Sequence, residues 1–90
     1  MLTLPPVLTH AEARSGLADL RQALRASTGD EVVADAGKLE RFDSSALAVL
    51  LACRREALVL NRSFAVRRCP PKLRRLAGLY GVESLLGWVD

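Results

Sequence analysis

Asp43-Ser44-Ser45 stands directly before an unbroken apolar block, Ala46 to Cys53. A carboxylate and two hydroxyls at the mouth of a helix set polar oxygens beside free backbone N–H groups, where the helix dipole favours negative charge. Such a place suits a switch or a docking point. Ser44 can be read as a plain N-cap, a role worth ~1 kcal/mol, or as a functional hydroxyl. A cap needs one oxygen and the chain supplies three residues that could provide it, which favours the functional reading of Ser44. Asp43 either caps the helix or receives a partner's basic side chain; the residues leave both open.

No other constellation suggests catalysis. His10 is the only histidine, and no serine or cysteine stands near it in a nucleophile and base arrangement. Neither a P-loop nor a dinucleotide-binding glycine pattern is present. The acidic residues come singly or at segment ends, which gives no metal site. Cys53 and Cys69 lack CxxC spacing and a nearby histidine, and are expected as reduced, mostly buried thiols. The chain is therefore expected to be non-enzymatic, without cofactor or metal.

Ninety residues suit one domain, 1–90, with a real core but little surplus stability, so association with a partner is plausible from size alone. Residues 1–53 hold five basic against seven acidic groups, and residues 54–90 hold eight against three. Arg54, Arg55, Arg62, Arg67, Arg68, Lys72, Arg74 and Arg75 have only Phe64 and Tyr80 among them as aromatics, too few stacking platforms for a single-strand nucleic acid binder. Solvated helix faces and strand ends account for this charge, or else an acidic partner does. Lys72, Arg74 and Arg75 are read as one outer helix face that could steer such a partner electrostatically. The apolar run is far short of the roughly 20 residues that cross a bilayer, and Met1 to Pro6 lacks the order of a signal peptide. A cytoplasmic chain without membrane insertion is expected.

These residues must be positioned by an alternating chain of strands and helices. Leu2-Thr3-Leu4 reads as an edge strand before Pro5-Pro6. Thr9-His10-Ala11-Glu12 reads as a capping box, with the Thr9 hydroxyl serving the Glu12 N–H, and opens a helix to about Ala26 with an apolar stripe of Leu17, Leu20 and Leu24. Glu31–Ala36 is a strand, Ser44 to about Leu60 a helix, Ser63–Arg68 a strand. The eight apolar residues from Ala46 leave the helix no solvent face in its first two turns, so burial on nearly all sides is expected, under this chain or a partner. Pro71 opens a last helix with Leu73, Leu76, Ala77 and Tyr80 inward and Gly81 as its C-terminal cap; a further turn and a short strand, Gly87–Asp90, follow. The alternation implies an α/β fold with a mainly parallel or mixed sheet of about four strands, helices packed on it and an abbreviated N-terminal strand region. The uncovered edge makes a homodimer through the N-terminal region conceivable.

Asp43-Ser44-Ser45-Ala46-Leu47-Ala48-Val49-Leu50-Leu51 resembles the Asp-Ser/Thr-Ser/Gly-Gly/Ala-Leu signature of STAS domains, a family that includes bacterial anti-sigma factor antagonists and the MlaB-type subunits of Mla phospholipid-transport ABC complexes. Pro71 to Val82 is similar to the family's last main helix, and its Leu76-Ala77-Gly78-Leu79-Tyr80 wording is closer to the MlaB type, as is Ala46 where antagonists usually carry glycine. The resemblance is good from residue 31 to residue 86 and architectural before that. It implies docking through Asp43, Ser44, Ser45 and Ala46, with Leu79 and Tyr80 nearby, on the ATPase subunit of an ABC lipid transporter at the inner membrane. The alternative it implies is an antagonist that captures an anti-sigma factor kinase until Ser44 is phosphorylated.

Overall fold

The computed structural model describes residues 1–89. Its elements are β1 (Leu2–Thr3), β2 (Val7–Leu8), α1 (His10–Ala26), β3 (Glu31–Asp35), β4 (Arg41–Phe42), α2 (Ser45–Val59), β5 (Ser63–Arg67), α3 (Pro71–Leu79), a 3-10 turn (Glu83–Leu85) and β6 (Gly87–Val89). The expected end of the last strand at Asp90 lies outside the described residues. β1, β3, β5 and β6 form one sheet in that order, every neighbouring pair parallel. A helix lies between each pair of neighbouring strands of this sheet, the crossover that parallel pairing demands.

Apolar residues of the strands and helices meet in one core that includes Leu2, Leu4, Leu24, Leu50, Leu73 and Leu86, all essentially sealed from solvent. β3 carries Val32 and Ala34 into it, and β5 carries Ala65 and Val66. Tyr80 departs from the expected inward stripe of α3: Leu73 and Ala77 are buried and Leu76 half-buried, but Tyr80 ends the helix and stands exposed. Gly81 follows at φ 71°, a left-handed conformation that glycine adopts without a Cβ clash and that closes the helix as expected.

The second sheet is small and was not legible in sequence. β2 pairs with β4 in parallel, Val7 opposite Arg41 and Leu8 opposite Phe42, and the Pro6 carbonyl accepts from the N–H groups of Glu40 (2.8 Å) and Arg41 (3.0 Å). Two strands thus precede α1, each joined to a different sheet, where the sequence suggested one. Because β2 leads into α1 and β4 leads into α2, their pairing places the heads of the two helices side by side. The same two helices meet again at their feet, where Arg25 donates to Glu56 from both Nε (3.1 Å) and Nη2 (3.0 Å). They therefore run parallel.

Helix α2 is not enclosed on nearly all sides. Ala46, Leu47, Val49, Leu50, Cys53 and Ala57 are buried, whereas Ala48 is exposed and Leu51 and Ala52 are half-buried. The sheet lies beneath α2, with α1 on one flank and α3 on the other, so among the described residues no element covers its outer stripe.

Candidate functional site

The juxtaposed helix heads give Asp43 a double role. Its Oδ1 accepts from the Ser45 N–H (2.8 Å), capping α2, and its Oδ2 accepts from the His10 N–H (3.0 Å), capping α1. One carboxylate thus satisfies two helix termini and clamps them together. Those bonds, first from Ser45 and then from His10, hold its pKa below the usual carboxylate value. Of the two readings of Asp43, the cap is the one the geometry contains. The capping box at Thr9 differs from its expected form: the helix begins where expected, but the Thr9 hydroxyl donates to the Glu12 carboxylate, and the Glu12 N–H goes to the Thr9 carbonyl (3.0 Å).

Ser44 is released by this arrangement. Its backbone already has helical angles (φ −61°, ψ −17°) and its hydroxyl makes no cap bond, so the plain N-cap reading does not hold for it. Ser44 is exposed, Ser45 half-buried and Ala46 buried beneath them. Beside Ser44 runs a groove of about 340 Å³, floored by Leu47, Ala48 and Leu51 and walled opposite by Tyr80 and Val82. Tyr80 is 62% exposed and Leu79 82% exposed, so both project from the end of α3, but only Tyr80 lines the groove. The structure thus brings Ser44 and Tyr80 together and leaves Leu79 beside them.

The three cations of α3 are exposed, yet they do not share one face. Lys72 stands over the Phe42 ring, 6.0 Å from its centroid, just before the Asp43 corner, while Arg74 lies over Trp88 at 4.9 Å on the β6 side. Positions 72 and 75 share a helix face and position 74 turns away from it, as a 3.6-residue period requires.

A buried aspartate held by two partly exposed arginines escaped the sequence reading. Asp35, 2% exposed at the end of β3, accepts from Arg68 at Nη2 (2.5 Å) and Nε (3.1 Å) and from the Gly37 N–H (2.8 Å), with Arg67 Nε 3.8 Å away. The Arg68 bond is the main cause of a lowered Asp35 pKa. Arg68 reaches it from a left-handed backbone, φ 53°, uncommon outside glycine. The signal lay in register: once β3 and β5 are paired in parallel, Asp35 falls opposite Arg67. Cys53 is buried and Cys69 half-buried, and burial pushes each thiol up to about 11. Among the described residues no three His, Cys, Asp or Glu side chains gather as a metal site, and no helix is long and apolar enough to cross a membrane.

The described residues thus form a small parallel α/β domain with a free serine at the head of a partly uncovered helix. The family model described as "Mlab, STAS domain" matches residues 1–87, and the chain belongs to this family of STAS domains. Among solved structures, the anti-sigma factor antagonist SpoIIAA in its unphosphorylated form shares the fold, with a TM-score of 0.73 at 17% identity over 98% of this chain and 76% of that one. No curated protein matches the sequence. These matches indicate no enzyme family.

Proposed function

We propose that this chain is a non-catalytic STAS subunit that binds and stabilises the ATPase of an Mla-type ABC phospholipid transporter, the kind that maintains outer-membrane lipid asymmetry. The observation that carries the docking role is the uncovered groove at the head of α2, with the unbonded Ser44 on one wall and the exposed Tyr80 on the other. The family description supports the choice of transporter. Docking would run through Ser44, Ser45, Leu47 and Ala48 of α2 and Leu79 and Tyr80 of α3, with Asp43 holding the corner in shape. A bound subunit raises turnover only by its preference for the competent ATPase state, so it stimulates without touching nucleotide or lipid.

The test is a reconstituted ATPase assay with and without the domain, alongside a Ser44→Arg variant verified as folded. Stimulation by the wild type and its loss in Ser44→Arg are expected. Unchanged turnover with the wild type, or equal stimulation by Ser44→Arg, would sink the transporter reading.

A second reading is favoured by the fold shared with SpoIIAA together with the free, exposed Ser44 hydroxyl. In it the chain is an anti-sigma factor antagonist that binds a kinase until Ser44 is phosphorylated. A phosphate on Ser44 sets about −1.5 to −2 charges next to the Asp43 carboxylate and on the rim of the apolar groove, disfavouring an apolar partner by repulsion and desolvation. Incorporation of phosphate at Ser44 by a co-purifying kinase, absent in Ser44→Ala, distinguishes this reading.

A further inference from the structure

On the other side of the α2 head lies a second groove, about 520 Å³, between the parallel helices α1 and α2. Its floor is apolar and low, made by Leu17 and Ala18 of α1 and Ala48 and Val49 of α2. Its walls carry Arg14 and Arg21 and no carboxylate. The one acid at the foot of the two helices, Glu56, is held by Arg25 at 3.0 Å and stands 3.8 Å from Arg21. Arg21 Nε itself is sealed from solvent and makes no hydrogen bond among the described residues, while the rest of its side chain is partly exposed. Cationic walls over an apolar floor, between two parallel rods, have the shape and charge of a seat for an amphipathic helix bearing carboxylates.

Ala48 lines this groove and the Ser44–Tyr80 groove alike. A methyl group at that point makes a low saddle, so the two grooves form one path across the first turns of α2. We propose that the α1–α2 groove receives an acidic helix of the partner protein, which crosses α2 at Ala48 so that its carboxylates meet Arg14 and Arg21 while an apolar side chain enters the Ser44–Tyr80 groove. This rests on the docking role proposed above and adds the chemistry of the docked segment. Arg14 is exposed and the Arg21 side chain partly so, and a carboxylate that reaches their guanidinium groups forms charge-assisted bonds, which are the stronger ones.

The experiment places the photo-crosslinking residue benzoylphenylalanine at Ala18 or at Tyr80 in the full chain, irradiates cells and sequences the adducts by mass spectrometry. The expected adduct at Ala18 is an acidic helical segment of a protein. It should weaken about tenfold in an Arg14→Glu background, and reversing the segment's carboxylates to lysine should restore it. Melting curves of Arg14→Glu verify that an exposed substitution leaves the fold intact. An adduct at Ala18 with phospholipid alone, or with a neutral or basic segment, overturns the proposal. So does an adduct at Tyr80 with none at Ala18, an outcome that leaves the docking role standing. If the acidic helix at Ala18 belongs to a protein other than an ATPase, this inference holds and the transporter reading falls. Absence of adducts at both positions removes both.

Discussion

Replacing Tyr80 by alanine should weaken docking strongly while leaving the fold intact. The side chain ends α3 and is 62% exposed, and its backbone N–H bond to the Leu76 carbonyl (3.0 Å) survives the change. An aromatic side chain buries about 200 Å² when enclosed, so roughly 120 Å² of Tyr80 remains for a partner to cover. At about 25 cal/mol per Å² full coverage would contribute ~3 kcal/mol; with the phenol oxygen polar and the rim left wet, ~2 kcal/mol is the working figure. That corresponds to about a 30-fold rise in Kd, the size expected of an interface anchor. Calorimetric titration of the proposed partner ATPase with wild-type and Tyr80→Ala domains measures it, with thermal melts as the control for folding. A Tyr80→Ala domain that melts like the wild type and binds with unchanged affinity refutes the assignment of this groove as the docking surface.

Further outcomes follow from the same geometry. Ser44→Ala should change stability by less than about 0.5 kcal/mol in denaturant titration, because its hydroxyl caps nothing, while Ser44→Asp should reduce partner affinity without unfolding the domain. Asp43→Asn should lower the melting temperature at neutral pH, since one amide oxygen can serve only one of the two N–H groups now bonded to the carboxylate. The carboxyls of Asp35 and Asp43 both have folded pKa values below the reference 3.8, so each stabilises the fold above that pH, and the contribution is lost as pH falls through the folded value. Melting temperatures recorded from pH 6 downward should accordingly fall less steeply below pH 4 in Asp43→Asn than in the wild type. Cys53 should react with Ellman's reagent only on unfolding, as a buried thiol raised to about 11 has almost no thiolate at pH 8.

The sequence alone determined the alternation of the three helices with the strands of the main sheet, and it marked the helix mouth at Asp43-Ser44-Ser45. The capping box and the apolar stripe of Leu17, Leu20 and Leu24 drew α1, and the polar mouth followed by an apolar run drew α2, each to within a residue or two of its observed bounds. Val32 and Val33 marked β3, Pro71 the start of α3 and Gly81 its end, since each residue's own backbone preference points to one local structure. Asp43-Ser44-Ser45 was visible as a helix mouth for the same reason. What that mouth does was decided only in three dimensions. β2 and β4 are two residues each, too short for any periodicity, yet their pairing sets the heads of α1 and α2 together and converts Asp43 into a clamp on both. That clamp frees Ser44 and fixes which oxygen is available for chemistry. The exposure of Ala48 and Tyr80 was likewise hidden, because a continuous apolar run reads the same whether its outer stripe lies under a neighbour or is left for a partner. Pairing, register and coverage are relations between distant segments, and residue type at one position carries no record of them.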